Sequence, residues 1–301
     1  MSLAVAGAVV LAAALDWFVG EPPEWMHPVA IFGRLVARAD REWQRPTAAG
    51  VGLAVGLPLV ATLPIVGLVA LVEQLGAFAA APFAAVVLFT TTSLRMLLNE
   101  VRTVIRFAGE DLPTARERLR SLAGRDAADL DADLVRSAAV ESAAENFADG
   151  LVGPLLAFML GVPFGLPVAA GAATWVKAVN TLDSVLGYPE KPHGTASARL
   201  DDIVMWLPAR VSAVVLAAVA LDPRAVNRAR TWLPRVRSPN SGWPMGTLAA
   251  AVGTRLEKPG TYVLNSSCDT PDEGTARDGV TVVARAGLLA WVLAVVVGAL
   301  A

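Results

Sequence analysis

The chain has 301 residues, of which 55% are hydrophobic and only 17% charged, with a mean hydropathy of +0.54. Soluble domains carry about 25% charged residues, so the deficit points to lipid as part of the solvent, and the net charge of −2 excludes a nucleic-acid binder driven by basic excess. One cysteine, Cys268, excludes an intrachain disulfide framework, and two histidines, His27 and His193, leave no HExxH motif.

In chain order, residues 1–15 are apolar and extend to Val19 with Asp16 near an interface. Ala12-Ala13-Ala14 resembles a signal-peptidase site, but no basic residue precedes the run, whereas Arg34, Arg38, Arg41 and Arg45 follow it. That asymmetry predicts a retained helix whose C-terminal end faces the cytoplasm. A spanning helix needs about 20 apolar residues, and three uncharged runs meet that length: 46–72, 74–94 and 150–176. Only Glu73 separates the first two, which predicts a helical hairpin. Residues 150–176 contain Pro154, Gly161, Pro163, Gly165 and Pro167, too many breakers for a simple helix. That run is either one kinked span or a re-entrant pair, and broken backbone at membrane depth survives only where protein or a watery cavity covers it. Weaker candidates are 203–221, which contains Arg210, and 280–301, which contains Arg285. The expected fold is therefore all-α and polytopic, a single membrane-embedded domain over 1–301 with four to six spans.

Two polar segments interrupt this pattern. Residues 99–149 hold seven arginines from Arg102 to Arg136, as expected of a cytoplasmic loop, and predict one helix ending before Gly124 and another from near Ala127 to about Phe147. Residues 222–279 are punctuated by Pro223, Pro234, Pro239, Pro244, Pro259 and Pro271, with a short helix predicted over 245–252.

The first polar segment ends in Glu141, Glu145 and Asp149, spaced i, i+4 and i+8. At about 100° per residue they share one helix face with Ser142 and Asn146. Stacked acids repel unless a cation intervenes. The face is either a site for a hard cation such as Mg²⁺, which bridges carboxylates to phosphates, or a solvated surface paired with Arg136 or Arg125. Asn180-Thr181-Leu182-Asp183-Ser184 repeats the Asn-x-x-Asp spacing of Asn146 and Asp149, and it fits either a second part of a site or a helix cap. Arg199-Leu200-Asp201-Asp202 is a third acidic point, equally explained by a salt-bridged loop. Ser238-Pro239-Asn240-Ser241-Gly242 is turn chemistry with exposed donors. His27 suits an interface better than a base, and Lys177 is placed to snorkel or to neutralise Asp183. Neither GxxxxGK[ST] nor a strand-linked GxGxxG occurs, so nucleotide binding is not written in a local motif.

Together these segments resemble the adenosylcobinamide-phosphate synthase family of cobalamin biosynthesis, the CobD/CbiB type. The resemblance begins with Leu15-Asp16, Gly20-Glu21-Pro22-Pro23, His27-Pro28-Val29 and Gly33. It continues through Gly124-Arg125-Asp126, Glu141-Ser142, Glu145-Asn146, Asp149, Asn180 to Ser184 and Gly187-Tyr188. It closes with Ala198 to Asp202, Pro208-Ala209-Arg210, Ser238 to Gly242 and Tyr262. The resemblance implies an inner-membrane enzyme with its site facing the cytoplasm. The reaction implied joins 1-amino-2-propanol, or its phosphate, to the propionate carboxylate of adenosylcobyric acid by ATP-dependent amide ligation. It further implies Mg²⁺ on Glu141, Glu145, Asp149 and Asp183, with Asp201 or Asp202 taking the amine's proton. Arg199 and Arg210 become holders of phosphate or propionate oxygens, and His27, Asn146, Asn180 and Asn240 substrate contacts. Implied partners are membrane lipid, other membrane enzymes of corrinoid assembly and a second copy of the chain, with no nucleic acid. The alternatives left by the residues alone are an ion-coupled transporter through broken helices, a Mg²⁺-dependent membrane prenyltransferase and a non-catalytic assembly protein.

Overall fold

The protein is described from a computed structural model covering residues 1–124 and 126–301; Arg125, expected to pair with the acidic face, lies outside the described residues. In chain order come α1 (Ser2–Ala14), continued by a π-helical turn at Leu15–Val19, then α2 (Pro28–Ala37), α3 (Pro46–Glu73), α4 (Ala77–Thr91), α5 (Leu94–Glu110), α6 (Leu112–Ala123) and α7 (Ala132–Phe147). A second π turn at Ala148–Val152 leads into α8 (Gly153–Gly161), a 3-10 turn at Val162–Phe164 and α9 (Leu166–Leu186). After them follow α10 (Thr195–Val204), α11 (Trp206–Val219), α12 (Arg224–Arg230) and α13 (Gly242–Val252), the two short strands β1 (Leu256–Lys258) and β2 (Tyr262–Leu264), and α14 (Glu273–Leu300). The strands pair antiparallel, Leu256 opposite Leu264. The fold is otherwise all-α, as its composition predicts.

Among the described residues, five helical runs are long and apolar enough to cross a membrane: Ser2–Val19, Pro46–Glu73, Ala77–Glu110, Ala132–Phe164 and Glu273–Leu300. A sixth candidate, Pro192–Val204 with Trp206–Val219, is bent by 46°. This agrees with the four to six spans expected. Pro58 and Pro64 sit inside α3 and Pro82 inside α4, a placement tolerated in membrane helices because neighbouring groups re-satisfy the freed carbonyls.

Helix boundaries follow local chemistry. Asp111 caps α6 and Asp131 caps α7, accepting the backbone N–H groups of Thr114 and Leu134 at 3.4 and 2.9 Å. The cap at Asp131 explains why α7 starts at Ala132 and not near Ala127: Asp126 accepts from Ala128 N at 3.1 Å, turning the intervening residues into a loop. Likewise α13 begins at Gly242, slightly ahead of the expected 245.

The chain divides into two compact units, each interleaved in sequence. Unit 1 comprises Met1–Ser93, Asp149–Met205 and Trp291–Ala301; unit 2 comprises Leu94–Ala148 and Trp206–Ala290. In unit 1, α9 is the central helix, packing on α2, α3, α4, α8 and α10. Small residues permit the close approaches: a Cβ on Gly171 would stand 2.4 Å from Val66 Cγ2, and one on Gly50 would stand 2.3 Å from the His193 carbonyl oxygen. In unit 2, α7 packs on α5, α6, α13 and β1. Ala138, Ala139, Val140, Glu141, Ala143, Ala144 and Phe147 are buried on every side of α7, so its acidic face is not a solvated surface.

Candidate functional site

The breakers in residues 150–176 produce a helical hairpin. α8 ends at the 3-10 turn, Gly165 adopts φ = 102°, a conformation glycine reaches without Cβ strain, and α9 runs back along α8. The run is thus an antiparallel helical pair in place of one straight helix. Asp149 and Asn180 stand at nearly equal chain distances from the Gly165 turn, so the hairpin sets them at one level. Asp149 itself lies in the π turn, a local widening of the helix that recurs at functional sites. The neighbouring Gly150 carbonyl accepts from Ser93 N at 2.9 Å.

Around this level unit 1 gathers four acids. Asn180 hydrogen-bonds Asp149 and Asp201. Lys177 interacts electrostatically with Asp149 first, then with Glu21 and Asp201. Asp183, which the sequence had offered as its counterion, instead faces Asp202, Asp149 and Asp201. Asp183 Oδ1 and Asp201 Oδ1 are buried and carry no hydrogen bond among the described residues, a cost of about 1–3 kcal/mol each if no ligand relieves it. Asp183 rests against Gly187, where a Cβ would stand 1.8 Å from Oδ1.

The polar knot on α9 is not a helix cap. Thr181 and Ser184 lie inside the helix and donate to the carbonyls of Lys177 and Asn180 at 2.8 and 2.9 Å, leaving the amide and carboxylate groups to face the cluster. The Arg199–Asp202 stretch is likewise helical, within α10, and Arg199 is exposed there.

His27 caps α2: its Nδ1 accepts from Val29 N at 3.2 Å and its Nε2 pairs with Glu21 Oε2. A cavity of about 710 Å³ adjoins, lined by α2, α3, α4 and α9, with Lys177, Thr174 and Thr181 among its few polar contributors. Its walls are mostly apolar, with Lys177 common to the cavity and the carboxylate cluster.

Unit 2 holds the remaining predicted residues in two places. Glu141 Oε1 accepts from Tyr262 Oη at 2.6 Å, and Met245 Sδ lies 3.9 Å from the same hydroxyl. About one turn along α7, Glu145 and Asn146 are half-buried, and Asn146 donates to the Ser142 carbonyl at 3.0 Å. Arg136 pairs with Asp133 at 2.7 Å. Elsewhere in the unit, Arg210 donates to Asn240 Oδ1 at 2.7 Å and to the Pro239 carbonyl at 3.3 Å, while its guanidinium lies over the rings of Trp206 and Trp243. The Ser238–Ser241 turn is fixed by the Ser238 hydroxyl, which accepts from Asn240 N at 3.2 Å. Among the described residues no three His, Cys, Asp or Glu side chains are grouped as a metal cage. The sequence carried Glu21 only inside the Gly20-Glu21-Pro22-Pro23 motif, without a role, and offered Lys177 to Asp183 in place of Asp149.

The chain is similar to known proteins over nearly its whole length. The family model described as CobD/Cbib protein matches residues 9–295. A "Probable cobalamin biosynthesis protein CobD" of Methanothrix thermoacetophila is 33% identical over 95% of this chain and 94% of its own. A "Cobalamin biosynthesis protein CobD" of Desulfotalea psychrophila is 37% identical over 85% and 84%, and a "Cobalamin biosynthesis protein CbiB" of Salmonella paratyphi A is 32% identical over 94% and 92%. No solved structure matches. With five apolar spans and a family match from end to end, the chain belongs to the CobD/CbiB family of cobalamin biosynthesis proteins.

Proposed function

We propose that the protein is a membrane amide ligase of cobalamin biosynthesis, joining 1-amino-2-propanol or its phosphate to the propionate carboxylate of adenosylcobyric acid at the expense of ATP. The observation that carries this reading is the unit 1 cluster on the α8–α9 hairpin: Asp149, Asp183, Asp201 and Asp202 around Asn180 and Lys177, with two carboxylate oxygens lacking partners. A carboxylate and an amine do not condense unaided, so phosphoryl transfer from ATP to the propionate gives an acyl phosphate and ADP; the amine then attacks the acyl carbon, expelling inorganic phosphate and giving up a proton as the amide forms.

The donor set fits Mg²⁺ in the way that ion is commonly held. Mg²⁺ takes one or two protein carboxylates and completes its shell with water and substrate phosphates, so a three-carboxylate cage is not required. Asp183 and Asp201 supply the free oxygens; Asp149 adds charge at the same level. Bound there, the ion would neutralise charge on the transferring phosphoryl group. Glu141 and Glu145, the other expected ligands, belong to unit 2, where Glu141 is engaged by Tyr262. Lys177 is placed to hold the propionate or acyl phosphate against its own carboxylate partners. Asp202, only partly buried, receives the amine's proton in this reading; Arg210 belongs to unit 2, where Asn240 and two indoles hold its guanidinium.

The arginines flanking the spans favour an inner-membrane orientation with this chemistry on the cytoplasmic side. The test is a proteoliposome assay with adenosylcobyric acid, aminopropanol phosphate, ATP and Mg²⁺. Amide product with stoichiometric ADP supports the reading; substrates unchanged by a folded protein overturn it.

A further inference from the structure

Glu21 stands apart from the acids already assigned. It follows Gly20, which ends the first π turn at φ = 78°, and precedes Pro22-Pro23, which restrict the backbone on its other side. His27 Nδ1 accepts the Val29 N–H, so that nitrogen carries no proton and Nε2–H is the donor to Glu21 Oε2. The imidazole therefore fixes the carboxylate through one oxygen without neutralising it. The other oxygen, Oε1, is buried and has no hydrogen-bond partner among the described residues. Lys177 is the cation it senses, and Lys177 is shared with Asp149 and Asp201. Glu21 therefore shares its nearby ammonium with two other carboxyl groups, and its Oε1 keeps room for an N–H donor.

Two features favour a nitrogen cation over a metal. Glu21 is not part of the mutual repulsion among Asp149, Asp183, Asp201 and Asp202, and its Oε2 is held by an imidazole and not by another acid. A single clamped carboxylate with one free oxygen offers a poor divalent site but a good acceptor for an N–H donor bearing positive charge.

We infer that Glu21 is the seat of the primary amine substrate, its free Oε1 receiving the ammonium N–H while His27 holds Oε2 in place. This rests on the amide-ligase reading for the identity of the amine, and it adds a binding residue that the family motifs did not assign a duty. His27 is thereby a positioning residue, acting through Glu21 and not on the substrate.

The test uses the full chain in liposomes with Glu21→Gln and His27→Asn. Asparagine keeps a cap acceptor for Val29 N but lacks a donor placed to reach Glu21, so folding is preserved while the clamp is lost. The expected result is a KM for aminopropanol phosphate raised at least about tenfold in both variants, the loss of one charge-assisted hydrogen bond, with KM for adenosylcobyric acid and ATP within about twofold. An unchanged amine KM in Glu21→Gln, or a uniform fall in kcat with every KM unmoved, overturns the inference. Calorimetric titration separates it from the ligase reading. Should the wild type make no amide, that reading fails, and the titration still decides here. Binding of 1-amino-2-propanol by wild type, lost in Glu21→Gln and absent for 1,2-propanediol, supports the amine seat; equal binding by both proteins, or none by either, overturns it.

Discussion

Gly161→Ala is the sharpest perturbation of the hairpin that places Asp149. A Cβ at Gly161 would stand 2.6 Å from Ala169 Cα and 2.8 Å from Ala169 N, backbone atoms of α9 that cannot rotate away. Carbon atoms in good contact sit about 3.5–4.0 Å apart, so α8 must retreat by about 1 Å. Asp149 lies roughly 18 Å farther along the rod at about 1.5 Å per residue. If the arms pivot about the Gly165 turn, a wedge about 6 Å from the pivot opens them by about 10°, moving Asp149 about 4 Å from Asn180. If they separate in parallel, the shift of about 1 Å still stretches an ordinary hydrogen bond of about 2.9 Å beyond useful length. Either way Asp149 leaves Asn180, and overpacking costs about 1–3 kcal/mol. The assay is amide formation and thermal unfolding in the same detergent or liposome preparation. The control is Gly52→Ala on α3, where a Cβ meets nothing within 4 Å. Gly161→Ala should lose at least about tenfold in turnover by analogy with other small displacements of catalytic groups, and the control should lose none. Wild-type turnover and melting in Gly161→Ala would refute the claim that hairpin register assembles the site.

Other consequences follow from single contacts. Gly187→Ala puts a Cβ 1.8 Å from Asp183 Oδ1, so the carboxylate must move and turnover should fall with it; a wild-type kcat would remove Asp183 from the chemistry. Tyr262→Phe removes the hydroxyl that donates to Glu141, fully buried on α7, and should cost about 1.5–3 kcal/mol of unit 2 stability, read as a lowered Tm; an unchanged Tm contradicts it. Outside the spans, the hydrogen bond from Lys191 holds the Asp40 carboxyl below its usual range against a small opposing effect of burial, with His193 adding to it. A carboxyl lowered on folding stabilises above its unfolded value and loses that contribution as pH falls through the folded one. Asp40→Asn should therefore lower Tm near pH 7, by an amount corresponding to less than about 1 kcal/mol for this partly exposed pair, and the gap should close below about pH 4. An equal gap at pH 3 and pH 7 would contradict the assignment.

The sequence made the spans and the acidic knots legible because both rest on local signals: apolar run length for the first, i to i+4 spacing for the second. Residues 46–72 became α3 almost unchanged. What stayed hidden depended on tertiary register. Pro163 and Gly165 announced a break, but only the return of α9 along α8 shows that Asp149 meets Asn180 and that Lys177 serves Asp149 more than Asp183. The π turn at Ala148–Val152 has no composition signature, and Glu21 stood in the Gly20-Glu21-Pro22-Pro23 motif with no role attached. Conversely, the even spacing of Glu141, Glu145 and Asp149 overstated their unity, because burial inside α7 and the Tyr262 hydroxyl give Glu141 its own surroundings.

The central claim is that Asp183 and Asp201, each with one buried oxygen that carries no hydrogen bond among the described residues, serve one reaction. Its most direct measurement is single-turnover amide formation by Asp183→Asn and Asp201→Asn beside the wild type, each isosteric and each checked for unchanged melting. Both variants should lose at least about 100-fold in the chemical step, the scale of a missing general base or metal ligand. Wild-type rates in both, from folded protein, would contradict it.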